Sequence, residues 1–310
     1  MEVGFISVAV ILLIFAVGFF LTREKLWHES TSLVCSQVIV LVSAPCLALT
    51  SIYQRFTSEQ LLHSLILLLV GLIHISILFG LSKILSFLLK LSPKKKEVFE
   101  VTFTFSNTIF IGLPVTQIVF GSKGLPYMFI YYIVILILFW SLGAYKIAKL
   151  SDKGGVKKIS LKKIINPGLI GCILGSFLVL TGIKLPSVFS ISLDYLSDLT
   201  VPLSLLVIGA NLAVIFKNGI PKIELSEIII MICKFIISPA LMFLIIKLFN
   251  ITGLPMSVLI FISAMPCHMQ TSILAEFYDI EPKYASKLVG LSTVLCLFTI
   301  PIFAWILQIS

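Results

Sequence analysis

Polar side chains, a glycine and a proline interrupt an otherwise apolar stretch of this chain between residues 106 and 114, which reads Ser-Asn-Thr-Ile-Phe-Ile-Gly-Leu-Pro. Asn107 lies about nine residues into its apolar segment, which at about 1.5 Å per residue is roughly 14 Å into a hydrocarbon layer of about 30 Å. Pro114 lacks an N–H donor and Gly112 weakens a helix, so the stretch predicts a broken membrane helix. Lipid cannot satisfy the freed backbone groups, and such breaks hold the substrate in many secondary transporters.

A second polar stretch, Ser263 to Ser272, interrupts a later apolar segment. Pro266 lies about 11 residues into that segment, roughly 16 Å deep. If the two breaks cross near the membrane midplane, their half-helix N-termini present N–H groups and partial positive charge, which suit an anion. Their C-terminal ends present carbonyl groups, which suit a cation.

The composition predicts a polytopic helical membrane protein. The chain has 310 residues, of which 59% are hydrophobic and 12% charged, and its mean hydropathy is +1.14. No ordinary soluble domain has this composition. The segments long enough to span a bilayer are residues 3–22, 33–53, 61–89, 98–120, 125–149, 165–184, 195–216, 225–248, 255–276 and 284–308.

The net charge of +9 is better explained by the lipid bilayer than by nucleic acid. Most of the 23 basic residues fall in loops on one side of the membrane, including a lysine-rich stretch at 150–164. The positive-inside rule then places this stretch in the cytoplasm and both termini outside a plasma or inner cell membrane. We expect the stretch to be a linker held at the anionic inner leaflet.

The two halves of the chain match at a constant spacing. Pro202 follows Pro45 by 157 positions, and Phe277 follows Phe120 by the same 157. Each half holds five predicted spans, and an odd number inserts the second half the other way up. We therefore expect two inverted five-helix repeats, 1–149 and 165–310, with broken helices 4 and 9 crossing.

The polar residues of the two breaks are the candidate site residues. The amide of Asn107 could bind a carboxylate, or it could satisfy loosened backbone. His268 could couple transport to protons, or it could cap a free backbone group as a neutral ring. The candidate substrate-binding residues are Asn107, Ser106, Thr108, His268, Gln270 and Thr271, and the crossover residues are Gly112, Pro114 and Pro266.

Lys234 is a cation near the centre of its predicted span, with no carboxylate at a similar depth. A charge at that depth costs a few kcal/mol, so it needs a partner. The alternatives are carbonyl groups at the ends of the broken helices, which is a structural role, or a substrate anion. The cysteines all lie in apolar segments without CxxC spacing, and Cys267-His268 has no second pair nearby, so we expect neither a metal site nor a cofactor.

At these residues the chain resembles the auxin efflux carrier family, which includes bacterial malate and malonate carriers and plant PIN-formed auxin exporters. The resemblance covers all the predicted spans. It rests on the pattern Asn-Thr-x-x-x-Gly-x-Pro with a following Phe-Gly, present as Asn107, Thr108, Gly112, Pro114, Phe120 and Gly121, and on Val201–Leu205, Gly209-Ala210, Ser263–Pro266, Leu291–Thr293 and Pro301.

The resemblance implies a scaffold domain, a mobile domain that carries the crossed helices, elevator-like movement and a homodimer. It also implies that Asn107 contacts a substrate carboxylate and that Pro114 and Pro266 are the crossover prolines. Long plant members have a large hydrophilic central loop that this chain lacks, which favours a prokaryotic-type carrier over an auxin exporter.

The leading hypothesis is thus a secondary carrier for a small organic anion, with proton or sodium coupling left open. The alternatives are an anion channel, which usually builds its filter around a symmetry axis, and an ion-coupled symporter of the bile acid/sodium type. An intramembrane enzyme would need acid–base or nucleophile groups, and no Asp or Glu is predicted at mid-membrane.

Overall fold

The fold is all-helical in the computed structural model, which describes residues 2–151, 166–217 and 223–309. Most of the predicted linker, residues 152–164, lies outside this part of the chain. The helices before the linker are α1 Glu2–Arg23, α2 Glu29–Val38, α3 Ala44–Arg55, α4 Ser58–His63, α5 Leu65–Leu88, α6 Pro93–Thr104, α7 Leu113–Phe120, α8 Leu125–Leu138 and α9 Ala144–Ala148. Those after it are α10 Pro167–Thr181, α11 Ser187–Asp198, α12 Thr200–Lys217, α13 Leu225–Ile232, α14 Ser238–Leu248, α15 Leu254–Ser263, α16 Met269–Tyr278 and α17 Pro282–Ile309.

Four π-helical turns occur within these helices. Three of them each join two consecutive helices into a continuous rod: Ile39–Ser43 joins α2 to α3, Phe139–Gly143 joins α8 to α9, and Cys233–Ile237 joins α13 to α14. The fourth, Thr108–Gly112, leads into α7. Such turns insert an extra residue into a helix and often occur at functional sites.

Within the residues described, six helical stretches are long and apolar enough to cross a membrane: Ser30–Arg55, Ser58–Leu88, Leu125–Ala148, Ser187–Val214, Leu225–Leu248 and Pro282–Leu307. The other predicted spans contain shorter apolar helices, at Ala9–Arg23, Thr108–Phe120, Pro167–Thr181 and Leu254–Ser263. Large apolar side chains point outward from the molecule, such as Phe87 at 74% and Leu248 at 80% exposure. A surface of this kind fits lipid and not water, so the prediction of a helical membrane protein is confirmed.

Local sequence signals explain where several helices begin. Thr57 and Gln60 form a capping box at the start of α4, and Glu224 and Glu227 form another at the start of α13. Asn166 accepts a hydrogen bond from Leu169 N at the start of α10. These side chains satisfy amides that lack a partner within the helix.

The first bundle consists of α1, α2, α3, α10, α11 and α12. Within it α1 packs along α12, and α3 packs along α10 and α11. Glycines let these backbones touch: a Cβ on Gly18 would lie 2.2 Å from Leu206 O, and one on Gly175 would lie 2.8 Å from Leu49 O. Small residues serve the same purpose at helix interfaces in other membrane proteins.

The second bundle consists of α5 to α9 and α13 to α17. Lys146 of α9 lies 2.7 Å from both Glu97 Oε2 and Glu100 Oε2 of α6. Glu227 of α13 lies 2.6 Å from Lys287 of α17. These carboxylates are almost fully buried, so removing either partner would leave a charge uncompensated. The ion pairs therefore tie the helices of this bundle together.

The structure corrects the prediction of where the first helix breaks. The break lies at residues 105–107, between the end of α6 and the π turn, and it does not include Pro114. Pro114 is the second residue of α7 and follows the π turn directly, inside the helical stretch Thr108–Phe120. Gly112 closes the π turn by donating from its N–H to Asn107 O at 3.0 Å, and a Cβ there would lie 2.3 Å from Ile262. Pro266 does lie within the second break, at residues 264–268.

Candidate functional site

The two breaks meet and satisfy each other's backbone. Asn107 N donates to Pro266 O at 2.8 Å, and His268 N donates to Phe105 O at 3.2 Å. Ser106 and Cys267 thereby form an isolated antiparallel bridge. The pairing removes the cost of unsatisfied groups at a depth where lipid offers none. Four helical ends, belonging to α6, α7, α15 and α16, are brought together at this point.

The carbonyl ends of α6 and α15 are bound by one rod, α13–α14. Lys234 Nζ donates to Phe105 O at 2.8 Å and to Ser106 Oγ at 3.2 Å. Ser238 Oγ donates to Ser263 O at 2.7 Å. Lys234 is completely buried and lines neither of the cavities described below. Its position therefore corresponds to the structural alternative, an ammonium group held by a helix C-terminus.

His74 belongs to the same hydrogen-bond network, through Ser238. Its Nε2–H donates to Ser238 O at 3.0 Å, and Tyr131 OH forms a hydrogen bond with its Nδ1 at 2.9 Å. Because a carbonyl can only accept, Nε2 must carry a proton. The sequence offered no signal for this role, since no helix break accompanies His74.

The amino ends of the two breaks are capped by side chains. Asn107 Oδ1 accepts from Phe110 N at 3.2 Å, and His268 Nδ1 accepts from Gln270 N at 3.2 Å. Nδ1 of His268 therefore carries no proton, which leaves Nε2–H as a donor. The His268 ring stacks on Phe139, with centroids 4.2 Å apart and planes 16° apart. Asn107 Nδ2 donates to no atom of the described residues and remains available to a ligand.

A cavity of about 140 Å³ lies at these two amino ends. Asn107, His268 and Gln270 line it, as three of the six predicted substrate residues. The other lining residues are Val40, Ala44, Ile109, Phe110, Tyr132, Leu136, Phe139, Trp140, Asn166, Gly168 and Met269. We call this space the crossover cavity. The polar side chains of its lining carry amides, a phenol, an indole and a neutral imidazole, and the other lining side chains are apolar.

The other three predicted residues lie outside this lining. Ser106 faces Lys234 on the opposite side of the crossing. Thr108 and Thr271 are buried, and neither hydroxyl has a hydrogen-bond partner among the described residues. Tyr132, Trp140 and Asn166, in contrast, were not predicted, because tertiary packing alone brings them to the cavity.

A second cavity of about 300 Å³ lies on the other side of Asn107 and Met269, which line both spaces. Its walls are richer in small polar side chains, including Thr22, Ser32, Asn211, Ser272, Ser286 and Thr293. Asn107 and Met269 thus form the partition between the two cavities.

Neither cavity has the donor set of a metal site. Within the described parts of the chain, no three His, Cys, Asp or Glu side chains come close enough to hold a metal ion. The residues at the crossing offer instead neutral hydrogen-bond donors and the amino ends of two short helices.

A helical membrane protein with two broken helices that meet beside an internal cavity has the architecture of a membrane transporter, and not of an enzyme. Comparison with known families agrees: the model of the membrane transport protein family matches residues 3–304, and the chain belongs to this family, the auxin efflux carrier family that its motifs resemble.

Two archaeal relatives are described as uncharacterized transporters. The one from Methanocaldococcus jannaschii is 31% identical over 309 residues, which covers 97% of each chain. The one from Methanothermobacter thermautotrophicus is 25% identical over 305 residues, again 97% of each chain.

Proposed function

We propose that the protein is a secondary carrier that moves a small organic anion, such as a carboxylate, by an elevator-type alternating-access mechanism. The observation that carries this proposal is the polarity of the crossing. The amino ends of both breaks line one cavity, whereas Lys234 and Ser238 bind both carbonyl ends on the opposite side.

This polarity favours an anion in the crossover cavity. Asn107 Nδ2 and His268 Nε2–H are donors at the cavity, and Gln270 adds a further amide. Two helix amino ends add partial positive charge of about +0.5 each. No acidic side chain is among the residues of this lining. The apolar remainder of the wall suits an anion with a compact apolar body.

Contacts in the first bundle support two inverted five-helix repeats. Gly175 follows Gly18 by 157 positions, and Leu206 follows Leu49 by the same 157. The close approach of Gly18 to Leu206 is therefore repeated, with the halves exchanged, by Gly175 and Leu49. This spacing equals that of Pro45 and Pro202. An internal two-fold relation would produce such exchanged pairs.

The distribution of polar contacts supports a moving body. The buried ion pairs and the networks around Lys234 and His74 all join helices of the second bundle. Gln54 pairs with Asp194 within the first bundle. Mainly apolar packing thus separates the two bundles, and such a surface can slide without breaking charge pairs. We propose that the second bundle carries the cavity across the membrane.

We propose that both termini face outward and that the linker is cytoplasmic, from the placement of the basic residues. A single cysteine at position 155 should then react with a membrane-impermeant thiol reagent only after the membrane is opened. A cysteine replacing Lys123, in the loop between α7 and α8, is the matched control and should react in intact cells. Reaction at 155 in intact cells would reverse the proposed orientation.

We propose that His268 is a neutral donor and not a proton carrier, because protonation of Nδ1 would remove the cap on Gln270 N. His268→Asn keeps a capping side chain and removes the titratable ring. We expect this variant to bind substrate more weakly but to keep the wild-type pH dependence between about pH 5.5 and 7.5. A pH profile that becomes flat in the variant would instead assign proton coupling to His268.

The function itself is tested by counterflow in liposomes. Purified protein should exchange a labelled small carboxylate against an unlabelled one inside the vesicle, and the rate should saturate with concentration. Matched uncharged amides of the same acids should not exchange. Flux that fails to saturate and shows no counterflow would favour a channel, and exchange of the amides would remove the argument for an anion.

A further inference from the structure

One polar pair joins the two bundles across the crossover cavity. Asn166 Nδ2 donates to Tyr132 OH at 3.1 Å, and Tyr132 OH lies 3.4 Å from Asn166 Oδ1. Tyr132 belongs to α8 of the second bundle, and Asn166 immediately precedes α10 of the first. The other hydrogen bonds and ion pairs between two described side chains each join residues of the same bundle.

The surroundings of the pair hold its geometry. Asn166 Oδ1 also accepts from Leu169 N at 2.9 Å, so the side chain is fixed as the cap of α10. The Tyr132 ring is buried and packs against Phe129 at a centroid distance of 6.2 Å. Gly168 leaves room for the phenol, since a Cβ there would lie 2.8 Å from Tyr132 OH.

We propose that Tyr132 and Asn166 form a latch between the bundles that holds the crossover cavity closed on this side. The inference rests on the proposed carrier function, because movement of the second bundle must separate α8 from the start of α10. Both residues line the cavity, so breaking their hydrogen bonds opens its wall. Tyr132 and Asn166 are thus positioning residues that set how often the cavity opens.

Three substitutions release the latch in different ways. Tyr132→Phe removes the hydroxyl and keeps the ring. Asn166→Ser keeps a side chain that caps α10 but is too short to reach Tyr132. Gly168→Ala leaves both partners intact and displaces the phenol by its added Cβ. A net hydrogen bond shifts an equilibrium by roughly two- to tenfold, and that is the expected gain in open cavity.

The opening can be measured without a substrate. A cysteine is introduced by Val40→Cys, in the cavity wall, and its reaction rate with a small hydrophilic thiol reagent is followed by mass spectrometry of the full protein in nanodiscs. We expect each latch variant to raise this rate by about two- to tenfold. Lys123→Cys, in the exposed loop between α7 and α8, is the control and should react at an unchanged rate.

An unchanged rate at Val40→Cys in Tyr132→Phe and Gly168→Ala would overturn the latch. If Tyr132→Phe instead weakens anion binding at least tenfold without changing the labelling rate, the pair is a substrate contact and the latch is wrong. Failure of the carrier proposal is read separately, as absence of counterflow in the wild-type protein, and does not alter the labelling result.

Discussion

Replacement of Asn107 by alanine is expected to weaken anion binding by at least about tenfold, because a hydrogen bond to a charged group contributes roughly 1.5–3 kcal/mol. Asn107 Nδ2 has no acceptor in the described part of the protein and lines the crossover cavity. The substitution also removes the cap on Phe110 N, which should cost about 0.5–2 kcal/mol of stability. Substrate binding and thermal unfolding, measured on the same preparation, report the two effects.

Asn107→Ser is the matched control for the cap. Serine accepts the hydrogen bond of a helix amino end but offers no amide donor to a ligand. We expect this variant to unfold near the wild-type temperature and to bind the anion as poorly as Asn107→Ala. Wild-type affinity in the serine variant would show that Asn107 is a capping residue and no more.

Lys234→Met should lower the stability of the protein by about 1–3 kcal/mol and leave the substrate affinity within about threefold of wild type. The ammonium group donates to Phe105 O and Ser106 Oγ, and Lys234 lines neither cavity. The substitution removes these hydrogen bonds. It also removes the energetic cost of a buried charge, which offsets part of the lost stability. Thermal unfolding and equilibrium binding of the same variant test both statements.

Lys234→Gln is a graded control, because its amide can still donate to the carbonyl end of α6. It should unfold between the methionine variant and the wild type. The structural role is refuted if Lys234→Met folds as stably as the wild type and no longer binds the anion. That result would mean that the ammonium group reaches the substrate during the transport cycle.

The sequence was most informative where a residue type conflicts with a membrane. Asn107 and Pro266 in apolar segments predicted broken helices, because lipid leaves such groups unsatisfied. Lys234 has no carboxylate at a similar depth, so it likewise needed a partner. The sequence predicted either a helix carbonyl end or a substrate anion in that place. Pro114 misled the prediction, because it lies inside the helical stretch Thr108–Phe120, which begins with a π turn, whereas the helix is broken at residues 105–107.

Contacts between distant segments could not be predicted in this way. Tyr132 and Asn166 look like ordinary residues of a span and of a helix start. Their pairing depends on how α8 packs beside α10, which no local sequence pattern predicts. His74 and Ser238 are similar, since 164 positions separate the two residues. Gly18 and Gly175 are separated by the repeat spacing of 157 positions. That spacing alone does not predict that the backbone of Leu206 lies against Gly18.

The π turn Cys233–Ile237 has a consequence for related sequences. A π turn holds one residue more than the α-helical turn it replaces, and the extra residue is absorbed within the turn, so the helix after it keeps its direction. Deleting a single residue there would restore an ordinary helix and leave Ser238 directed at Ser263 O. Elsewhere in α13 or α14, loss of one residue would rotate everything after it by about 100°. Homologous chains should therefore tolerate a one-residue change of length in this turn far better than in the α-helices on either side of it.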